Sequence, residues 1–578
     1  MSYTRSTNTI SNATQLVSSR IGALLTAGIL VRLVLWAVFP PIWKTVSVFT
    51  SLSMPVFEYV GNFKGYYPLR MPFFDVLSAA FYVPLSGLLG IKALTLFSVV
   101  ISCLSLPAFY GGVRRLLNRD IAFYGTVLFA LYPKYVVLSV RGMPEAASVA
   151  FLVFALYAYA RATDDTGREI RWYAVAGVAA TTAFLMFVPA VFAAIVLSVV
   201  LYIDGVRDRD AIIPEWSFWA YSLTPGIVGV LYLVYGPLTT LISATTGDGW
   251  EYYSYSLFVD PTSYSIIEKT VRYVGYTYFD FWWHMRGFDL EANILARIGS
   301  YKSFLGSLFP AYALGWFLIT LTLSVPILYG MYRLISDHEL GEVRWTVLGW
   351  SVGYIILYNF KNLGWTGAFQ TRQVFPVFVT LSIAFGVGLA AAPQIPLISV
   401  ATRLSQHRGL TNLRQSIAAV DLRMVVITVG MAILLVNAGV QGVFTANNAE
   451  TGVEKPVERL TAVHEPGQQV ATVTLENYRD VLMYSHGSIE PILFANNGSM
   501  RDDFEFFTTQ AEIQIRPPSE LAGTDIDYLY IVQQCGEFTA RQKSYISAAE
   551  EFGDTIVSER HTRGAKCDIN IAIIKLQN

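Results

Sequence analysis

The sequence predicts a polytopic α-helical membrane protein of about 11 transmembrane helices, sized to span the bilayer, with a C-terminal extracytoplasmic α/β domain. The first observation behind this fold class is composition: 54% of the 578 residues are hydrophobic, 14% are charged, and the mean hydropathy is +0.45. A soluble protein with this composition would have a largely apolar surface. The second observation is that apolar runs of membrane-spanning length recur as far as residue 443, whereas the remainder of the chain is mixed in polarity.

The predicted helices follow one another with short polar connections. Residues 1–20 are polar, and the first apolar run, 21–42, is interrupted only by Arg32, which we expect to snorkel or to pack against another helix. No small-residue cleavage site follows this run, so it is predicted to be an uncleaved signal anchor. The later spans are predicted at 91–110, 121–137, 144–160, 172–188, 189–204, 217–236, 307–331, 345–360, 374–393 and 424–443.

The distribution of basic residues predicts the orientation in the membrane. With the N terminus inside, the inner segments hold sixteen arginines, whereas the short outer segments hold seven lysines and arginines. Basic residues are retained on the cytoplasmic side. We therefore predict a cytoplasmic N-terminus at 1–20, a transmembrane domain at 21–443 with outer loops 43–90 and 237–306, and an extracytoplasmic domain at 444–578.

The C-terminal part differs from the rest in charge and in pattern. From residue 445 it carries 20 acidic residues against 11 basic ones. Strands are predicted at 469–475, 527–533 and 568–576, and an amphipathic helix at 540–552. Cys535 and Cys567 are the only plausible disulfide pair. An acidic tail and few lysines fit a salt-adapted organism, and an Arg-rich membrane protein of a mesophile fits them equally well.

The first outer loop is the predicted site of chemistry. It holds Glu58, Lys64, Arg70, Pro72 and Asp75 between two apolar runs. A carboxylate can accept a proton from a hydroxyl, and arginine can hold a phosphate. Glu58 is the candidate general base, with an exposed loop glutamate as the alternative. Arg70 is a candidate phosphate ligand or a plain loop charge, and Asp75 is a fallback base or a helix N-terminal charge.

Two further arginines stand at outer ends of spans. Arg141 and Arg372 are candidate ligands for a lipid phosphate, because a guanidinium meets a phosphate with two parallel hydrogen bonds. Arginine at membrane depth is costly and often functional, but each can instead snorkel to the lipid headgroups. Glu145 is a candidate substrate-binding residue or a simple ion-pair partner for Arg141.

These segments resemble the polytopic GT-C glycosyltransferases, whose donors are polyprenyl-phosphate sugars, and in particular archaeal dolichyl-phosphate-mannose mannosyltransferases. The resemblance is carried by short motifs, with Glu58 alone where the family has an acidic pair and Met71 where it has the first of two prolines. The matching segments are 57–59, 70–74, 85–90, 114–119, 130–133, 139–145 and 372–376. The resemblance implies that Glu58 is the base.

We therefore predict an inverting glycosyltransferase that moves a sugar, with mannose favoured, from dolichyl phosphate to a lipid-linked or protein-linked glycan acceptor outside the cell. S-layer N-glycosylation in an archaeon is the expected setting, membrane lipids surround the enzyme, and no nucleic acid takes part. The rival hypotheses are a lipid-glycan flippase and a structural subunit that recruits a partner. No metal-ligand spacing is present, so no cofactor is predicted, and a divalent cation held by Glu58 and a distant acid stays open.

Overall fold

The structure is a computed structural model, and it describes the helical core and most of the C-terminal part. The described residues are 20–39, 72–164, 169–187, 190–209, 215–229, 324–337, 340, 343–354, 376–392, seven positions between 427 and 439, 454–498, 513–534, 537–563 and 567–577. The predicted N-terminal segment, the outer loop 237–306 and Cys535 therefore lie outside them.

The described membrane part is helical throughout. Its helices are α1 Arg20–Val38, α2 Pro72–Leu89, α3 Ala93–Leu116, α4 Arg119–Leu131, α5 Pro133–Val140, α6 Pro144–Asp164, α7 Glu169–Met186, α8 Val191–Arg209, α9 Val343–Leu348 and α10 Phe378–Ala391. Residues 216–229 and 324–336 are also helical, and a π-helical turn, Gly349–Gly353, continues α9.

Several helices are long and apolar enough to cross a membrane. Among the described residues these are α1, the continuous run Phe73–Leu116 and Pro144–Thr163, or four if α4 and α5 count as one span bent by 54°. Val191–Ile203 and Phe378–Ala391 are shorter apolar helices. The described parts of the predicted spans are helical, while the predicted total of eleven spans stays a prediction.

Small residues let α4 and α10 pack closely. A Cβ added to Gly386 would lie 2.3 Å from the backbone oxygen of Ile121, and one added to Gly125 would lie 2.8 Å from that of Ser382. Membrane helices associate through such small-residue contacts because lipid offers no hydrophobic driving force between them. The two glycines therefore set the approach of these helices in the core.

The C-terminal part, which we call the α/β unit (residues 454–577), contains one six-stranded sheet. Its elements are α11 Lys455–Val463, β1 Val470–Thr472, α12 Leu475–Tyr484, β2 Ile492–Ala495, β3 Ile513–Ile515, β4 Tyr528–Gln534, α13 Ala540–Phe552, β5 Gly553–Arg563 and β6 Cys567–Leu576. The strand order is β3-β2-β1-β4-β6-β5, in which β1 to β4 are parallel and β6 is antiparallel to both of its neighbours.

Local signals explain where the elements of this unit begin. The hydroxyl of Thr539 accepts from the backbone N–H of Gln542, and the side-chain oxygen of Gln542 accepts from the backbone N–H of Thr539. This capping box starts α13 where the sequence predicts a helix. The first predicted strand is shorter than expected and ends at Thr472. Thr474 caps α12 by accepting from Asn477, so helix replaces strand immediately afterwards.

The α/β unit packs directly on α2 and the start of α3. Ala79 and Tyr82 of α2 form one hydrophobic cluster with Tyr478, Leu482 and Met483 of α12. The opposite side of α2 contacts the membrane helices, where Phe74 packs with Phe97, Ala147, Met186 and Phe187. The helix that forms the second part of the predicted outer loop 43–90 is thus held between the bundle and the α/β unit.

Candidate active site

The structure describes two of the five candidate site residues. Arg141 and Glu145 lie in the turn between α5 and α6. Glu58, Arg70 and Arg372 lie outside the described residues, so their roles stay predictions. Asp75, the fallback base, lies in the first turn of α2 and is fully buried.

The turn that carries Arg141 and Glu145 follows from its sequence. Gly142 has a φ of +74°, the left-handed conformation that favours glycine. The N–H of Met143 donates to the oxygen of Leu138 at 3.0 Å, and the N–H of Gly142 donates to that of Ser139 at 3.4 Å. These bonds form a Schellman motif that ends α5. Pro144 then begins α6 and places Glu145 in its first turn.

Both ionisable side chains of this turn are buried. Arg141 is 8% exposed and Glu145 is 3% exposed. Arg141 therefore packs within the protein. Charged groups are seldom buried unless they are paired or bind a ligand, and both of these side chains take part in interactions within the protein.

The α/β unit contributes residues within electrostatic range of Arg141 that sequence analysis did not select. Burial raises the pKa of the Tyr484 hydroxyl, the carboxylates of Asp480 and Glu454 raise it further, and the guanidinium of Arg141 lowers it. Tyr484 is the last residue of α12, so the end of this helix lies within electrostatic range of Arg141. The mixed polarity of the tail did not reveal this, because the contact joins segments far apart in the chain.

Lys92 is a second cation at this end of the bundle that the sequence did not single out. Its ammonium donates to the carbonyl oxygens of Trp36 at 2.9 Å, Ala37 at 3.3 Å, and Phe39. The last carbonyls of a helix have no donors within the helix, and a cation there also interacts favourably with the helix dipole. Lys92 thus fixes the end of α1 against the start of α3.

Tyr82 links α2 to the α/β unit by a polar contact. Its hydroxyl lies 3.2 Å from Nδ1 of His486. His486 has a φ of 56° in the turn after α12. The buried turn at Arg141, the end of α1 and the α/β unit are therefore gathered at one end of the bundle.

Arg141 and Lys92 bring two cationic side chains to this end of the bundle. A buried guanidinium binds a phosphate strongly because few waters compete for it. Within the described ranges, no group of three or more His, Cys, Asp and Glu side chains is arranged to hold a metal ion. The carboxylates that the sequence predicts as a base are Glu58 and the fallback Asp75, of which the structure describes Asp75.

Comparisons with known proteins agree with this architecture. Residues 72–246 match the family described as dolichyl-phosphate-mannose-protein mannosyltransferase; this segment includes α2 to α8 and both described site residues. No curated protein sequence matches the chain.

The fold is shared with solved structures over nearly the whole chain. ArnT from Cupriavidus metallidurans in the apo state is 12% identical, with a TM-score of 0.55 and coverage of 96% of this chain and 98% of ArnT. The same protein bound to undecaprenyl phosphate has a TM-score of 0.56, with the same identity and coverage. The Archaeoglobus fulgidus oligosaccharyltransferase is also 12% identical, with a TM-score of 0.49, covering 93% of this chain and 73% of that one.

The bundle of apolar helices is followed by a C-terminal α/β unit. A buried arginine and a buried glutamate lie at the end of the bundle that contacts this unit, and the family match covers both residues. Residues 72–246 of the chain are therefore similar to the dolichyl-phosphate-mannose-protein mannosyltransferase family, and the chain as a whole shares the fold of ArnT.

Proposed function

We propose that this enzyme transfers mannose from dolichyl phosphate to a lipid-linked or protein-linked glycan on the outer face of the membrane, with inversion at the sugar. The observation that carries the proposal is the buried Arg141 beside Glu145, within the segment that matches the mannosyltransferase family. The ArnT structure, which shares the fold, was solved with undecaprenyl phosphate bound, which supports a lipid phosphate as the group to be held.

The proposed step is one displacement at the anomeric carbon. The acceptor oxygen forms a bond to C1 of the sugar on the face opposite the phosphate, and the bond from C1 to the phosphate oxygen breaks. The acceptor proton passes to the Glu58 carboxylate, which contributes on the order of 10² to 10⁴ in rate. The leaving group is dolichyl phosphate, whose charge Arg141, with Arg70 and Arg372, stabilises.

Glu145 has a positioning role in this proposal. It follows Arg141 by four residues and is the more deeply buried of the two, 3% exposed against 8%. A carboxylate there can hold the guanidinium in place or accept a hydrogen bond from a sugar hydroxyl. No divalent cation is required, because the arginines already supply the positive charge at the leaving group.

The orientation and setting are part of the proposal. The N terminus is inside, and the α/β unit and the first loop are outside, as the basic residues favour. α2 contacts the α/β unit, and the end of α1 contacts Lys92 at the same end of the bundle. These contacts support placing all of these segments on one side of the membrane. S-layer glycosylation in an archaeon is the setting we propose.

The decisive experiment offers the purified full-length enzyme labelled dolichyl-phosphate mannose, dolichyl-phosphate glucose and undecaprenyl-phosphate sugars, each with a lipid-linked glycan acceptor. We expect mannose from the dolichyl donor to be transferred fastest. Transfer of another sugar, or equal use of the undecaprenyl donor, would refute the donor assignment.

Glu58→Gln separates a transferase from a flippase. We expect this variant to lose turnover by about 10² or more while it still binds donor lipid. Glu169→Gln, in the exposed first turn of α7, is the matched control and should keep full activity. A flippase would be indifferent to both substitutions, and the family match already favours the transferase.

A further inference from the structure

Arg32 is a buried charge that the proposed reaction does not use. It lies in the apolar helix α1 and is 0% exposed. Among the described residues no carboxylate pairs with it, and its Nε and Nη2 have no hydrogen-bond partner there. A guanidinium inside a membrane bundle is costly to keep, so its contacts should show what it is for.

The guanidinium reaches the end of another helix. Its Nη1 donates to the backbone oxygen of Ala130 at 2.7 Å and to that of Gly28, one turn earlier in α1, at 3.0 Å. Gly28 allows the approach, since a Cβ there would lie 3.1 Å from the Cβ of Ala130. Arg32 therefore joins α1 to the last turn of α4.

The carbonyl oxygen that Arg32 binds has no hydrogen-bond donor from its own helix, because α4 ends at the break before α5. Tyr132 is extended, with φ −63° and ψ 114°, and Pro133 has no N–H to donate. The last bond within α4 runs from the N–H of Tyr132 to the oxygen of Leu128. The Ala130 oxygen comes after this last acceptor in the chain. Without Arg32 it would be a buried acceptor with no donor from α4. A cation at this helix end also complements the dipole.

Arg32 also contacts the helix on the far side of the break. Its guanidinium carbon lies 5.2 Å from the ring centroid of Tyr135 in α5, within range of a cation–π interaction. The Tyr135 hydroxyl is in turn 3.1 Å from that of Ser105 in α3. One side chain thus holds both sides of a bend of 54°.

The short helix beyond the bend ends in the candidate phosphate ligand. α5 is two turns long, and its Val136, Val137 and Val140 pack on Leu35 of α1 and on Phe39, which follows that helix. The N–H of Arg141 donates to the oxygen of Val137 at 3.1 Å, which continues this helix. Because a two-turn helix is rigid, the direction it takes at the bend determines where Arg141 stands.

We propose that Arg32 is a positioning residue, which caps the break between α4 and α5 and thereby sets Arg141 for the phosphate of the lipid-linked donor. This inference rests on the proposed role of Arg141. Arg32 touches no substrate, and it acts only through the short helix.

Arg115 offers a matched control. Its Nη1 donates to the oxygen of Gly111, one turn earlier, at 2.9 Å, and its guanidinium carbon lies 5.2 Å from the ring centroid of Tyr157. These two local contacts resemble those of Arg32 with Gly28 and Tyr135, but Arg115 is exposed. Arg32→Lys and Arg115→Lys keep the charge and remove the fork of donors.

The test measures two quantities on the full-length enzyme in detergent. The first is hydrogen exchange at the Gly142 and Met143 amides. The second is the affinity for dolichyl phosphate, together with kcat/KM for the donor. We expect Arg32→Lys to speed exchange in this turn and to lower kcat/KM by up to about 100-fold, the size expected when a substrate-orienting group is displaced. Arg115→Lys should change neither.

A double-mutant cycle with Arg141→Ala separates positioning from general stability. If Arg32 acts through Arg141, adding Arg32→Lys to Arg141→Ala should weaken the donor affinity little further. Fully additive losses, or unchanged exchange in Arg32→Lys, would overturn the inference. Full donor affinity in Arg141→Ala alone would instead overturn the proposed function of Arg141, while the exchange rates would still decide whether Arg32 holds the turn.

Discussion

The hydroxyl of Tyr82 in α2 and Nδ1 of His486 in the α/β unit lie 3.2 Å apart, although 404 residues separate them in the chain. The contact lies beside a hydrophobic cluster formed by the same two parts of the molecule. It is a polar connection between the helix within the predicted outer loop 43–90 and the α/β unit, whose role the sequence left open.

The contact predicts a pH dependence of stability. Partial burial lowers the pKa of His486 below its usual value, so the neutral imidazole is favoured in the folded protein. The contribution of this histidine to the free energy of unfolding is fully present above its unfolded pKa of about 6.5. It is lost as the pH falls through the lowered pKa of His486 in the folded protein. Thermal unfolding measured between pH 7.5 and 5 should therefore show a melting temperature that decreases as the pH is lowered.

His486→Gln should make that dependence shallower. His464→Gln is the matched control, because His464 Nε2 contacts the Gln468 oxygen within the α/β unit at 2.9 Å and does not reach α2. An unchanged pH slope in His486→Gln would contradict the prediction.

Arg141→Ala should weaken donor binding more than it weakens the fold. A hydrogen bond to a charged group contributes about 1.5–3 kcal/mol, which corresponds to about tenfold to a hundredfold in affinity. Titration with dolichyl phosphate measures this directly. Arg161→Ala is the control, since Arg161 stacks on Trp172 at 5.1 Å near the opposite end of α6. Equal donor affinities in the two variants would argue against a phosphate at Arg141.

Gly386→Ala should destabilise the bundle. Its new Cβ would lie 2.3 Å from the Ile121 oxygen, so α4 and α10 must move apart, and such overpacking typically costs about 1–3 kcal/mol. Gly226→Ala adds the same methyl group where nothing lies within 4 Å. Thermal unfolding in detergent should show a lower melting temperature for the first variant and little change for the second. A Gly386→Ala protein as stable as the Gly226→Ala protein would refute the close approach.

Lys92→Met should loosen the end of α1. The variant removes the donor to the Trp36 and Ala37 oxygens, and the loss of a partly buried cation at a helix C terminus is worth up to about 2 kcal/mol. Lys543→Met is the matched control, because Lys543 forms only an exposed ion pair with Glu537, of a kind that contributes about 1 kcal/mol or less. Proteolysis near the end of α1 and thermal unfolding would compare the two, and equal behaviour would contradict a capping role for Lys92.

By itself, the sequence determined the elements whose signals are local. Apolar runs predict helices because the membrane requires every backbone polar group to be satisfied within its own segment. Gly142 and Pro144 end one helix and begin the next through their own backbone preferences, so the turn with Arg141 and Glu145 is readable without a structure. The capping residues Thr539 and Gln542 likewise mark the start of the helix at 540–552.

Only the tertiary structure decided which polar groups meet. Arg32 binds the Ala130 oxygen 98 residues away, Lys92 binds the end of α1, and Tyr82 meets His486. Periodicity describes one helix at a time and carries no information about its neighbour. A charge in an apolar run looks the same in sequence whether it snorkels to the headgroups or caps a broken helix, and the packing of α1 against α4 and α5 is what distinguishes them for Arg32.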